Sequence, residues 1–326
     1  MKRIDSFTPK KQHFIPQFVL KNFTSGKKKR VFVFDKHRKV AHASSVRDSA
    51  CEKGFYNINI DGEEYTIENK LASLESISSK VISTVVQQET LANINPAEFK
   101  IFSLFCAVQL LRTPMQREFN QQFQDAIIDW INRQGGDVEQ IQNFKVLDEA
   151  GIKQSHIHNI NSLAIKFSEH FRDKALMLVK APAGHEFFIS DNPITMYNHI
   201  ETPGRGNLGL ALDGIEINIP LSKKLSLTFA CPKMINEIIH AVKKYEQFHS
   251  FGFATSRDTR GAEELVYAIE SGNATELKPE NIQFYNSLQV IQSSRFVYSA
   301  KDDFSLIIDM LKTNPECKYS PKLQSN

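Results

Sequence analysis

Between residues 99 and 111 the only polar interruptions are Lys100, Ser103 and Gln109, and Asn95-Pro96-Ala97-Glu98 ahead of them forms a good helix start. A helix apolar on nearly every side has to be covered all round, so it belongs in a core and the rest of the chain must supply its cover. A chain of 326 residues, 41% apolar and 24% charged, is long enough and balanced enough to do that, which excludes global disorder, a fibrous repeat and a disulfide-rich miniprotein. No apolar run reaches the ~18 residues of a membrane-spanning helix. Thr113-Pro114 ends or kinks the helix, because proline disfavours helical geometry in the residue before it.

The segments on either side differ in texture. Phe14, Ile15, Phe18, Val19 and Phe23 have the spacing of a short helix with Pro16 in its first turn. Residues 31–34 read as a strand. Residues 55–60 and 63–66 read as a hairpin, with Asp61-Gly62 supplying the positive φ of a type I′ turn. Ile67, Leu71, Leu74, Ile77, Val81 and Val85 keep one helical face apolar. A further helix is expected over 115–133, Gly135-Gly136 break it, and two more are expected over 137–150 and 153–172. Strands are expected at 176–179, 187–190, 215–219, 225–229 and 295–299, helices at 232–248, 279–291 and 304–311, a loop at 202–207, and a frayed end from Lys318. The order predicts an α+β fold in one domain over residues 1–326. A central helical layer (67–174) is flanked by a small N-terminal β unit (1–66) and a C-terminal mixed sheet (175–317). Its most buried element is expected to be the helix at 99–111.

The four cysteines, Cys51, Cys106, Cys231 and Cys317, stand singly without a C-x-x-C, which suits reduced thiols in a cytoplasm. The start is basic but has no apolar stretch, so no secretory signal is expected. Net charge is only +3, yet residues 1–40 hold twelve Lys or Arg against Asp5 and Asp35. A basic end on an acidic body is a footprint for phosphate backbones, centred on Lys27, Lys28, Lys29 and Arg30; a solvated turn explains the same cluster.

No nucleotide-binding glycine motif, nucleophile elbow, zinc-protease helix or zinc-finger spacing is present. Candidate residues are therefore single polar groups in places a core would not choose. His13, before the Pro16 helix, suits a metal ligand or general base, or else a surface or capping histidine. Glu68 and Glu75 share one helix edge, where two carboxylates can hold a divalent cation or form a solvated flank. Gln109 and Arg112 lie one turn apart at the end of the apolar helix, where Arg112 must pair with a carboxylate or phosphate, snorkel, or serve the helix dipole. Asp191 and Asn192 follow a strand directly and precede Pro193, a position for catalytic or metal-binding groups or for an Asx turn. His156 and His158 read as surface residues.

His13-Phe14-Ile15-Pro16, Phe55-Tyr56, Glu68, Glu75, Gln109 to Pro114, Ser190 to Pro193, Pro220-Leu221-Ser222, Asn286 and Ser294-Arg295 follow one another in an order that resembles the bacterial family called domain of unknown function 4238. The resemblance runs from about residue 11 to about residue 300. It implies a cytoplasmic bacterial protein and brings no settled activity, but the residues it marks are largely the polar candidates above.

The expected function is a metal-dependent phosphodiester hydrolase, a nuclease of a defence or toxin system. Glu68, Glu75 and Asp191 would hold Mg²⁺ or Mn²⁺, His13, Arg112, Asp191 and Asn192 would be catalytic, and nucleic acid would bind through the basic 40 residues. The alternative is a non-catalytic binding or regulatory module whose polar cluster is structural, and a protein partner fits either reading.

Overall fold

The computed structural model describes residues 1–142, 144–200, 206–251 and 259–322. The helix Pro96–Leu111 starts as its sequence predicts. The Asn95 side chain accepts from the N–H groups of Ala97 and Glu98, both at 3.0 Å, and the Glu98 carboxylate accepts from the Asn95 N–H at 3.1 Å. This reciprocal box satisfies donors that a helix start leaves open. Asn95→Ala should cost about 1 kcal/mol in chemical denaturation.

In chain order the strands and helices are β1 (Lys2–Arg3), β2 (Lys11–His13), α1 (Gln17–Leu20), β3 (Arg30–Asp35), β4 (Val40–Ser45), β5 (Cys51–Lys53), β6 (Asn57–Ile60) and β7 (Glu63–Thr66). Then come α2 (Glu68–Gln88), α3 (Pro96–Leu111), α4 (Pro114–Arg133) and α5 (Glu149–Arg172). The remainder is β8 (Ala175–Lys180), β9 (Ile189–Ser190), β10 (Thr195–Asn198), β11 (Ile215–Pro220), β12 (Leu225–Ala230), α6 (Pro232–Ser250), α7 (Arg260–Ser271), β13 (Thr275–Glu276), α8 (Pro279–Ile291), β14 (Phe296–Ser299) and α9 (Ser305–Thr313). The fold is α+β. Among the described residues no helix is long and apolar enough to cross a membrane.

Helix α3 packs against α2 and α5 and is the most buried of the helices, with Phe105 only 1% exposed. It is not the most buried element. Strand β12, buried at every residue, lies between β11 and β8 in the sheet β10-β11-β12-β8-β13. Neighbours on both edges and cover on both faces enclose it, whereas the first turn of α3 reaches solvent. That sheet is antiparallel except where β13 runs parallel to β8, the mixed sheet expected at this end.

The N-terminal strands do not form a unit of their own. Strands β1, β7 and β6 make a small sheet, and Asp61-Gly62 take positive φ (52° and 84°) at its hairpin. Strands β3 and β4, however, join β14 and β9 in a four-stranded sheet ordered β4-β3-β14-β9. The expected pair of helices over 137–150 and 153–172 is one helix, α5, capped by the Asp148 side chain on the Gly151 N–H at 2.8 Å. Before it the described residues hold a single 3-10 turn, Val138–Gln140. Residues 202–205 of the expected loop and 323–326 of the frayed end lie outside the described residues.

Candidate functional site

Strand β2 stops at His13, and the chain turns through Phe14 and Ile15 into Pro16, which caps α1. The carbonyls of His13 and Phe14 point away from any ladder and need donors, since an unpaired buried carbonyl is costly. The end of α3 supplies them. Arg112 donates from Nη2 to the His13 carbonyl at 2.8 Å and from Nε to the Phe14 carbonyl at 3.2 Å. Gln109 Nε2 donates to the Phe14 carbonyl at 2.8 Å, and the Tyr56 hydroxyl to the His13 carbonyl at 3.1 Å. Arg112 is 1% exposed, and its Nη1 meets the Glu75 carboxylate at 2.7 Å. Burial opposes its charge, but Tyr56, Glu75 and Glu68 outweigh that and hold its pKa above the usual value.

The His13 side chain faces the other way. Its Nε2 lies 3.1 Å from the Arg47 carbonyl. A carbonyl only accepts, so Nε2 carries the proton in the neutral ring and Nδ1 is left as the acceptor. Burial lowers the His13 pKa below its ordinary 6.5, against the hydrogen bond to Arg47 and the charge of Glu75. Glu68, the first residue of α2, holds one carboxylate oxygen buried with no partner in the chain. Burial pushes its pKa up to about 7, with Glu75 adding to the rise and Arg112 opposing it. His13 and Glu68 line one cleft of about 510 Å³, whose other charged walls are Lys10, Lys11 and Arg47. These opposed shifts leave the imidazole able to accept a proton and the carboxyl partly protonated near neutral pH.

Asp191 and Asn192 stand in a second network. Asp191 is buried, and its oxygens accept from the N–H groups of Ser294, Arg295 and Phe296 at 2.8, 2.7 and 2.7 Å. Burial pushes its pKa up to about 6 against those three donors and the charge of Lys36, so it is ionised at neutrality and holds the chain entering β14. Asn192 donates to the Gln292 carbonyl at 3.0 Å and accepts from the Thr113 hydroxyl at 3.3 Å. Thr113 follows Arg112, and that is the link between the two networks.

The structure thus gathers His13, Glu68, Glu75 and Arg112 and sets Asp191 and Asn192 apart. Glu75 is engaged by Arg112 and Asp191 by backbone, so the three carboxylates expected to hold Mg²⁺ or Mn²⁺ do not form one ligand set. Among the described residues no group of three or more His, Cys, Asp or Glu could hold a metal ion. His156 is a correction: it is 1% exposed, its Nε2 lies 2.8 Å from the Leu111 carbonyl, and burial lowers its pKa to about 4. Ile152, His156 and Ile160 fall four apart, so the helical period was the signal that placed it inside. Arg47 was missed for want of any signal, since it reaches the cleft from the 3-10 turn Val46–Asp48 and contributes its carbonyl. Tyr56 was marked only by its motif.

Residues 11–303, most of the chain, match a family model described as Protein of unknown function (DUF4238). No curated protein and no solved structure matches.

Proposed function

The chain belongs to the DUF4238 family, a description that names no reaction, and we propose that it hydrolyses phosphodiesters with His13 as general base and Glu68 as general acid. The observation behind this reading is the cleft that His13 and Glu68 share, with a buried, unpartnered Glu68 oxygen and Lys10, Lys11 and Arg47 on its walls; the opposed pKa shifts of the two groups support it. Lys10 and Arg47 hold the phosphate and stabilise charge that builds on it in the transition state, Lys11 being paired with Asp48. His13 Nδ1 takes a proton from the attacking water as its oxygen bonds to phosphorus. The bond from phosphorus to the ester oxygen breaks, and Glu68 gives that oxygen its proton.

A second reading has its own observation. Arg112 Nε and Nη2 and the Gln109 amide all hold the β2–α1 turn, and Arg112 Nη1 is taken by Glu75, as a non-catalytic module with a structural cluster would have it. Incubation with RNA and DNA oligonucleotides, in EDTA and separately in Mg²⁺ or Mn²⁺, separates the two. Cleavage that persists in EDTA and vanishes in Glu68→Gln supports the hydrolase. Cleavage that requires the ion returns Glu68 to the role of metal ligand, and no cleavage under any condition favours the module. Asp191→Ala is a poor control, because it strips the acceptor from three buried N–H groups and acts on folding.

A further inference from the structure

A second cleft adjoins the one that holds His13 and Glu68. It encloses about 780 Å³, and Lys10 lines both. Lys10 and Lys53 sit on neighbouring segments at the end of the β2–β5 pair, where the Gly54 N–H bonds to the Lys10 carbonyl at 3.0 Å. Lys145 and Lys153 also line it, and Lys153 Nζ is pinned to the Gly54 carbonyl at 2.6 Å. Lys10, Lys53 and Lys145 are exposed, and among the described residues none of them has an ion-pair partner. Glu64 and Asp148 also line this cleft, but the Asp148 carboxylate is occupied as the cap of α5. By contrast, Lys27, Lys28, Lys29 and Arg30 lie exposed at the turn entering β3, closed by the Lys29 N–H on the Gly26 carbonyl, and line neither cleft.

We propose that the two clefts form one track for a single-stranded polynucleotide, with Lys10, Lys53 and Lys145 contacting its phosphates and the scissile phosphate beside His13. The proposal rests on the reading of the His13–Glu68 cleft as the reaction centre. Several cations in a cleft that shares Lys10 with the His13–Glu68 cleft fit a ligand that repeats phosphate along its length. Between them, Asn57, Asn59 and Gln154 offer donors and acceptors to bases, and Leu147 and Val146 offer apolar surface. A cleft of this volume has the size of a small-molecule site, room for a nucleotide or two and not for a duplex.

The test is fluorescence anisotropy of a short labelled oligouridine and oligothymidine, titrated at several salt concentrations. Each Lys–phosphate contact on a single strand contributes a slope of about −0.7 in log affinity against log salt. The double variant Lys53→Ala, Lys145→Ala should flatten the slope by roughly 1.4, while Lys27→Ala, Lys28→Ala leaves it unchanged. Both variants alter exposed side chains, and circular dichroism confirms their folding. An unaltered slope in the groove variant, flattening by the turn variant, equal binding of a duplex of the same length, or no binding by the wild type overturns the track. Binding that flattens as expected, in a protein that cleaves nothing, overturns the hydrolase reading and leaves the track standing.

Discussion

Arg112→Ala should lose about 3–5 kcal/mol of folding free energy, the range for removing one partner from a buried ion pair. The melting temperature should fall by roughly 5–15 °C. The substitution strands the Glu75 carboxylate, leaves the His13 carbonyl with only Tyr56 and the Phe14 carbonyl with only Gln109, and opens a cavity where a fully buried side chain stood. Arg112→Lys should recover only part of the loss, since an ammonium is a point donor and the three acceptors are spaced for a planar fork. A change in denaturation midpoint within error for Arg112→Ala would show that the clamp contributes nothing.

The second large effect is on rate and its pH dependence. Turnover should rise as pH climbs through the His13 pKa, below 6.5, because the base must be neutral, and fall as pH passes the Glu68 pKa near 7, because the acid must keep its proton. The optimum therefore lies on the acid side of neutrality. Removing either group should cost about 10²–10⁴-fold in kcat, and Glu68→Gln should erase the alkaline limb while leaving the acid limb in place. A linked effect can be read without any substrate. The folded-state pKa of Glu68 lies above its unfolded value of 4.5, so its contribution to stability is complete below pH 4.5 and is lost as pH rises through about 7. Glu68→Gln should flatten that part of the stability profile. A rate that keeps rising well above pH 7 in the wild type would remove Glu68 from the role of acid.

Local features of the sequence were readable and distant ones were not. Asn95-Pro96-Ala97-Glu98 and Asp61-Gly62 carry their geometry in adjacent residues, so the start of α3 and the β6–β7 turn follow from a few side chains. Strand β4 has no such signature. Val-Ala-His-Ala-Ser-Ser is largely exposed at a sheet edge, and only its pairing with β3 makes it a strand. The cap of α5 was present in Asp148, but Gly151 three residues later reads as a break. In the site, residue types identified the polar set without separating its tasks. That Arg112 holds a turn, that Asp191 holds a strand entry, and that His13 and Glu68 share a cleft depend on partners dozens to more than a hundred positions away. Lys10 counts among the basic residues of 1–40, but no local pattern joins it to Lys145 and Lys153, with which it shares a cleft.

The pairing of β3 with β14 has a consequence during synthesis. Asp35 and Arg295, ion-paired at the end of that ladder, are 260 positions apart. A ribosome adding ~5–20 residues per second delivers the second strand roughly 13–50 s after the first. Throughout that interval β3 has β4 on one side and an open row of peptide groups on the other, with Val31 and Val33 waiting for the core they will enter. A nascent chain in that state is a template for its neighbour on the same polysome. The turn that presents Lys27, Lys28 and Lys29 immediately before β3 puts positive charge beside that edge in every such chain, and like charge opposes pairing between two unfinished copies.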